Sequence, residues 1–129
     1  MASSKLIKRM DTIFQEYIRK RDVDEDGICF CISCGRPVRI GTGKLHAGHY
    51  YPRNIMSLRW NECNVNGQCS YCNMYMEGEK IGYRNGLIKK YGEKVIDELE
   101  IVKNFNRKYS DFEILELIKM YRNKIKQLK

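Results

Sequence analysis

Two Cys-x-x-Cys pairs, Cys31/Cys34 and Cys69/Cys72, bracket the only two histidines of the chain, His46 and His49, and the second pair runs directly into Asn73. Each pair delivers two sulfurs from one tight turn, so the four thiolates fit a tetrahedral zinc site. A zinc held there staples everything between the two pairs into one loop. At 129 residues the chain has the length of one domain with a modest core, and structural zinc contributes folding energy where a core is small. Disulfides or an iron–sulfur site are the other uses of such cysteines. No apolar signal segment precedes the first amphipathic pattern, so the thiols are read as reduced and the protein as cytoplasmic. Nor does any apolar run approach the roughly 20 residues of a membrane span. Cys29 and Cys63 lie off the knuckle spacing and read as buried thiols.

Leu6, Ile7, Met10, Ile13, Phe14, Tyr17 and Ile18 recur at helical spacing behind Ser3 and Ser4, which predicts an N-terminal helix over 4–21. The acidic run from Asp22 to Gly27 ends it; that run lacks the spacing and terminal Glu of a calcium loop and reads as a solvated turn. Turn residues then dominate to Tyr51, with short strands expected near 37–40 and 45–50, the second carrying both histidines. After an irregular stretch, the second knuckle should lead into a helix through Met74, Tyr75, Ile81, Tyr83, Leu87 and Ile88. Gly92 separates this from a helix with Val95, Ile96, Leu99 and Val102. Ser110 and Glu113 form a capping box for a last helix. One side of that helix is apolar and the other carries Lys119, Arg122, Lys124, Lys126 and Lys129, either as a solvated face or as a phosphate-contacting one.

A formal charge of +8 and a pI near 9.2 favour a polyanionic partner, of which nucleic acid is the commonest. Phosphodiester hydrolysis needs a base to activate water, a divalent cation to stabilise developing charge, and positive groups to hold phosphate. The stapled loop holds candidates for each: His46 and His49 on a strand ending at Pro52-Arg53, then Asn64, then Asn73 after the knuckle. Guanidinium groups grip phosphate bidentately, and among Arg36, Arg39, Arg53 and Arg59 the best placed is Arg53. Tyr50, Tyr51, Tyr71, Tyr75 and Tyr83 can stack on unpaired bases or fill a small core.

This order of residues resembles the HNH, or ββα-metal, endonucleases. The resemblance implies that His49 is the general base, that Asn64 braces the loop and orients the His49 ring, and that Asn73 ligates a catalytic cation. A double knuckle ending in Asn is similar to that of the endonuclease VII-type junction resolvases. Five stretches in order look like the phage NinG family, also called Rap: 31–36, 46–50, 58–62, 68–73 and 82–88. That family is associated with recombination and with endonucleolytic processing of Holliday junctions and other branched DNA. The likeness runs from about Phe14 to Leu99.

Many ββα-metal nucleases place a cation ligand immediately before the base, where this chain has Gly48. His46 is the best substitute, although its odd offset from His49 calls for a bulge or bend to aim the two together, which Gly48 would permit. Glu62 is a further possible ligand. Asn66 stands where the NinG pattern often has a His.

The expected architecture is α+β in a single domain over 1–129: a helix over 4–21, a zinc-bound HNH-like nuclease core over 28–91, and C-terminal helices over 92–129. The expected function, following the resemblance, is a phage- or prophage-encoded endonuclease in the bacterial cytoplasm that cuts branched DNA, with structural Zn2+ and catalytic Mg2+ or Mn2+. Symmetric resolution of a junction calls for a homodimer, with the apolar faces of the first and last helices either forming its interface or completing the core. The alternatives are a non-catalytic zinc-containing DNA-binding module, a general HNH nuclease without junction preference, and a zinc-stabilised protein-interaction domain.

Overall fold

The first apolar stripe forms helix α1 (Ser4–Arg21), whose N-terminus is capped by the Ser3 hydroxyl accepting from the Leu6 N–H at 3.2 Å. The last forms α5 (Asp111–Gln127), opened by the Ser110/Glu113 capping box. In this computed structural model, which describes residues 2–76 and 79–128, the two helices pack on each other. Met10, Phe14 and Ile18 of α1 meet Ile114, Ile118 and Tyr121 of α5, with Trp60 and Val65 beneath them. Burying a side chain such as Phe14 contributes about 1.5–3 kcal/mol. The contact thus buries part of the last helix's apolar face, Ile118 and Tyr121 among it, while Phe112, Leu115 and Leu128 stay exposed.

The middle of the chain consists of two short antiparallel hairpins. Strands β1 (Ile28–Phe30) and β2 (Pro37–Arg39) pair with Cys29 opposite Val38, and the first knuckle forms the turn between them. That turn closes through Gly35, whose φ of +78° few other residues adopt. Strands β3 (Leu45–His49) and β4 (Val65–Cys69) pair without interruption, from Leu45 opposite Cys69 to His49 opposite Val65. The strands expected near 37–40 and 45–50 are thus present but do not pair with each other. Each takes a partner that its own sequence does not announce. The long connection between β3 and β4, expected to be irregular, contains a single helical turn, α2 (Met56–Arg59).

The second knuckle continues into a π-helical turn, Tyr71–Tyr75, rather than directly into a long helix. Helix α3 (Lys80–Tyr91) follows, then α4 (Lys94–Lys103). Positions 77–78, through which one continuous helix was expected, lie outside the described residues, as does Lys129. Gly82 and Gly86 bring α3 flush against the first knuckle: a Cβ at either would overlap the carbonyl oxygen of Ser33 or Ile32. Tyr83 and Leu87, both fully buried, join Leu58, Val95 and Leu99 in a second core. Among the described residues, no helix is long and apolar enough to cross a membrane.

Candidate metal centre and adjoining cleft

The four knuckle sulfurs, Cys31, Cys34, Cys69 and Cys72, lie within 4.8 Å of one another. A tetrahedron with Zn–S bonds of about 2.3 Å has edges of about 3.8 Å. The Cys34 and Cys69 Sγ atoms are 3.8 Å apart. The Cys69 N–H donates to Cys31 Sγ at 3.2 Å and the Cys72 N–H to Cys69 Sγ at 3.4 Å, so the backbone already supports negative sulfur. At Cys31 burial opposes the thiolate, but N–H donors from Cys69, Cys34 and Ser33 outweigh it and hold the thiol below its ordinary value. Cys34 and Cys72 are pushed up, first by burial and then by their sulfur neighbours. A dication supplies the charge that lets all four ionise. The cluster could therefore hold a structural metal ion such as zinc. Cys29 and Cys63 fall outside it; burial raises both thiols, Cys29 to about 12, as suits buried neutral groups.

Beside this cluster opens a cleft of about 500 Å3 lined by Gln15, Arg19, His46, Ala47, His49, Arg53 and Asn73. Both histidines reach it although the register of β3 on β4 is unbroken, so the anticipated bulge is absent. Gly48 serves clearance instead of bending: a Cβ there would overlap the buried Gln68 side chain across the hairpin. His46 faces the knuckle, where the Asn73 amide donates to its Nδ1 at 2.9 Å. His46 and Asn73 are thus in direct contact, and the N-cap of α3 is Glu79, whose side chain accepts from the Gly82 N–H.

His49 lies at the other edge of the cleft, its Nε2 3.0 Å from the carbonyl oxygen of Arg59. A carbonyl only accepts, so Nε2 carries the proton and Nδ1 is the basic nitrogen of the neutral ring. Burial, reinforced by the charges of Arg53 and Arg59, holds His49 below its ordinary value against the pull of the carbonyl and of Asp11. Burial and the arginine charges both favour the neutral ring.

The carbonyl that fixes His49 is itself fixed from α1. Asp11 accepts from Arg59 Nε at 2.9 Å and Nη2 at 2.6 Å, and from the Trp60 indole N–H at 2.9 Å. Arg59 also donates to the Arg53 carbonyl at 3.1 Å. Arg59 is accordingly a clamp and has no free fork for phosphate, whereas Arg53 remains more than half exposed at the cleft. Asn64 is fully buried: its Oδ1 accepts from the Tyr51 N–H at 2.9 Å, and its amide donates to the Tyr51 and Leu58 carbonyls at 3.1 Å each. It braces the β3–β4 connection and acts on His49 only through the segment ending at Arg59.

Glu62 lies away from the cleft. Tyr17, Tyr121 and Lys124 donate to it at 3.1, 2.7 and 2.9 Å, tying the β3–β4 connection to α1 and α5. Lys124 is thereby drawn off the basic face of α5. Asn66 faces neither histidine; its Oδ1 accepts from Arg21, Lys90 and Tyr91. Asp22 joins the same network through Arg21, Lys90 and the Gly67 N–H, which disposes of it as a calcium ligand. Motif spacing does not name Gln15 and Arg19, which line the cleft, or Asp11, which clamps Arg59. Their signal is a polar stripe at i, i+4 and i+8 along α1.

The sequence from residue 2 to 129 matches the family model described as Bacteriophage Lambda NinG protein. The NinG protein of Escherichia phage lambda is 35% identical over 125 residues, covering 95% of this chain and 57% of the relative. That of Escherichia phage 933W is 34% identical over 125 residues, and that of Salmonella phage P22 is 35% identical over 95 residues. The chain spans a little over half the length of the lambda and 933W relatives, at 57% and 58%. No solved structure gives a significant match.

Proposed function

Because the chain belongs to the bacteriophage NinG family, we propose that it is an endonuclease for branched DNA, hydrolysing phosphodiesters in this cleft with an HNH-like core made of β3, β4 and the knuckle. The observation that carries the proposal is the placement of His49: half-buried, its Nε2 against a backbone carbonyl so that Nδ1 is left basic, and set beside Arg19 and Arg53 in a cleft with no carboxylate among the described lining residues. A basic nitrogen held in that way suits a general base. His49 Nδ1 takes a proton from water, the water oxygen bonds to phosphorus, and the P–O bond to the leaving sugar oxygen breaks, that oxygen gaining a proton from solvent. Arg53 and Arg19 hold the phosphate oxygens. Asn64 and Asp11 act as positioning residues through the Tyr51–Arg59 backbone.

The His46 ring nitrogen and the Asn73 amide oxygen, once the amide turns, form a neutral donor pair that fits one divalent cation, magnesium or manganese, completed by water and substrate phosphate. Such a cation would stabilise charge on the phosphoryl oxygens. Among the described residues no carboxylate lines the cleft, so this pair alone would hold such a cation weakly before DNA arrives. A homodimer for paired cuts would use a face other than the α1–α5 contact.

The test is cleavage of a synthetic four-way junction beside a matched duplex, with zinc-loaded protein and magnesium or manganese. Junction cutting lost in His49→Ala supports the proposal. Undiminished cutting by that variant, or none by the parent, refutes it.

A further inference from the structure

The π-helical turn after the second knuckle exposes two tyrosines and two methionines within six residues. Tyr71, Met74, Tyr75 and Met76 are 53, 61, 72 and 44% exposed, while Tyr17, Tyr83 and Tyr121 are buried at 8, 0 and 4%. The two outward rings sit 5.9 Å apart, tilted by 37°. Four large side chains in one short segment are thus left in water. Nor is the segment loose, for Cys72 is buried in the metal cluster and Asn73 is bonded to His46. Single π-helical turns of this kind are frequent at functional sites.

We propose that Tyr71 and Tyr75 form a stacking platform for unpaired nucleobases at a DNA branch, and that this platform discriminates branched from intact duplex DNA. The inference rests on the reading that the neighbouring cleft holds a DNA phosphate. Asn73 lines that cleft and stands two residues from each tyrosine, so a strand with its phosphate in the cleft brings its adjacent base to the platform. The charge is complementary: segment 70–76 has no acidic side chain, Arg19 and Arg53 flank the cleft, and exposed Lys44 is joined to the turn by its carbonyl, which accepts from the Ser70 N–H at 2.8 Å. A platform anchored by the metal cluster loses little conformational freedom on binding. In an intact duplex the bases stack on one another and offer no free face; at a branch or fork they do. Aromatic stacking strengthens binding by roughly ten- to hundredfold per base.

The test uses the zinc-loaded chain of residues 1–129 carrying His49→Ala, so that binding is read without cleavage. Affinities for a splayed fork, a four-way junction and a matched duplex are compared for this background, for added Tyr71→Ala/Tyr75→Ala and for added Tyr71→Phe/Tyr75→Phe. A 2-aminopurine at the branch reports stacking. The alanine pair should weaken fork and junction binding at least tenfold, change duplex binding less than twofold and relieve the quenching of 2-aminopurine, while the phenylalanine pair should behave as the parent. Equal weakening on all three DNAs, or unchanged quenching, overturns the proposal. So does a loss of self-association in the alanine pair without a change in the fork-to-duplex ratio, which would assign the patch to a second copy of the chain. Because His49 is absent throughout, failure of the catalytic reading leaves this result standing, and failure here leaves the His49 cleavage test standing.

Discussion

Asp11 makes the sharpest prediction, because it lies outside every motif yet controls the carbonyl that holds His49. Asp11→Ala removes the bidentate partner of Arg59 and the acceptor of the Trp60 indole. The two charged side chains are only 10% and 17% exposed, so the guanidinium is left largely out of water without its counter-charge. Orphaning one member of a buried pair costs roughly 3–5 kcal/mol. Arg59 keeps its bond to the Arg53 carbonyl and some solvent, which places the loss at the lower end, about 3 kcal/mol. For a chain of this size that lowers the melting temperature by about 10 °C. Thermal unfolding of zinc-loaded protein at pH 7, followed by circular dichroism, measures it. Since the loss comes mainly from an unpaired charge, Asp11→Ala/Arg59→Met should regain a good part of it. If Asp11→Ala melts within a degree or two of the parent, or the double variant is no more stable than the single, the clamp does not work as described. The proposed cleavage, measured for Asp11→Ala well below its melting temperature, should fall about a hundredfold, the size of a 1 Å misplacement of a reacting group.

His49 carries a pH prediction for the proposed activity: the base must be unprotonated and its pKa lies below the ordinary 6.5, so the rate at pH 6.5 should exceed half its plateau and fall only at lower pH. An acid limb centred above pH 7 would contradict this. Removing the metal with a chelator, or Cys72→Ser, should loosen the segment from β1 to the π-helical turn. Cobalt substitution should give thiolate charge-transfer bands for one ion per chain, and their absence would remove the metal cluster from the account. Glu62 is held below its ordinary value, burial raising it but Lys124, Tyr121 and Tyr17 outweighing burial. A depressed carboxylate stabilises the fold above its unfolded pKa of about 4.3 and loses that contribution as pH falls. The stability gap between the parent and Glu62→Gln should therefore shrink between pH 5 and 3; a gap that stays constant would sink the assignment. Gly86→Ala should destabilise by about 1–3 kcal/mol in chemical denaturation, because the helix must retreat from the Ile32 carbonyl.

What could be read from the sequence depended on whether position alone encodes the interaction. The cysteine cluster was legible because a tetrahedral metal imposes its own spacing, and α1 and α5 were legible because apolar periodicity and a capping box are local signals. Strand β4 was not. Its central residues, Asn66-Gly67-Gln68, have poor strand propensity, yet all are buried. Hydropathy misses them because hydrogen bonds satisfy their polar groups: Arg21, Lys90 and Tyr91 at Asn66, the Asp22 carboxylate at the Gly67 N–H, the Ser33 hydroxyl at the Gln68 amide. Those partners come from three other elements, so no window on β4 contains the information. The same holds for the Asp11, Gln15 and Arg19 stripe. Its spacing is visible in α1, but what it borders is settled only when β3 pairs with β4.

Gly48 shows how a correct observation can carry the wrong reason. An odd offset on a strand does send His46 and His49 to opposite faces, and a bulge would have been the local remedy. The chain reaches the same end without one. His49 is the last paired residue of β3, and its ring is received by the Arg59 carbonyl of the connection that folds back beside it; His46 is received by Asn73 on the knuckle side. The cleft is closed from two directions by segments distant in sequence, and the strand between them stays regular. What Gly48 contributes is the absence of a side chain where Gln68 crosses the hairpin. The position that in many ββα-metal nucleases carries a ligand is here occupied sterically from β4, so a ligand could not be restored by substitution at Gly48 alone. A cation at the proposed site would be held from His46 and Asn73, and the position of Asn73 depends on the adjoining cysteine cluster through Cys72.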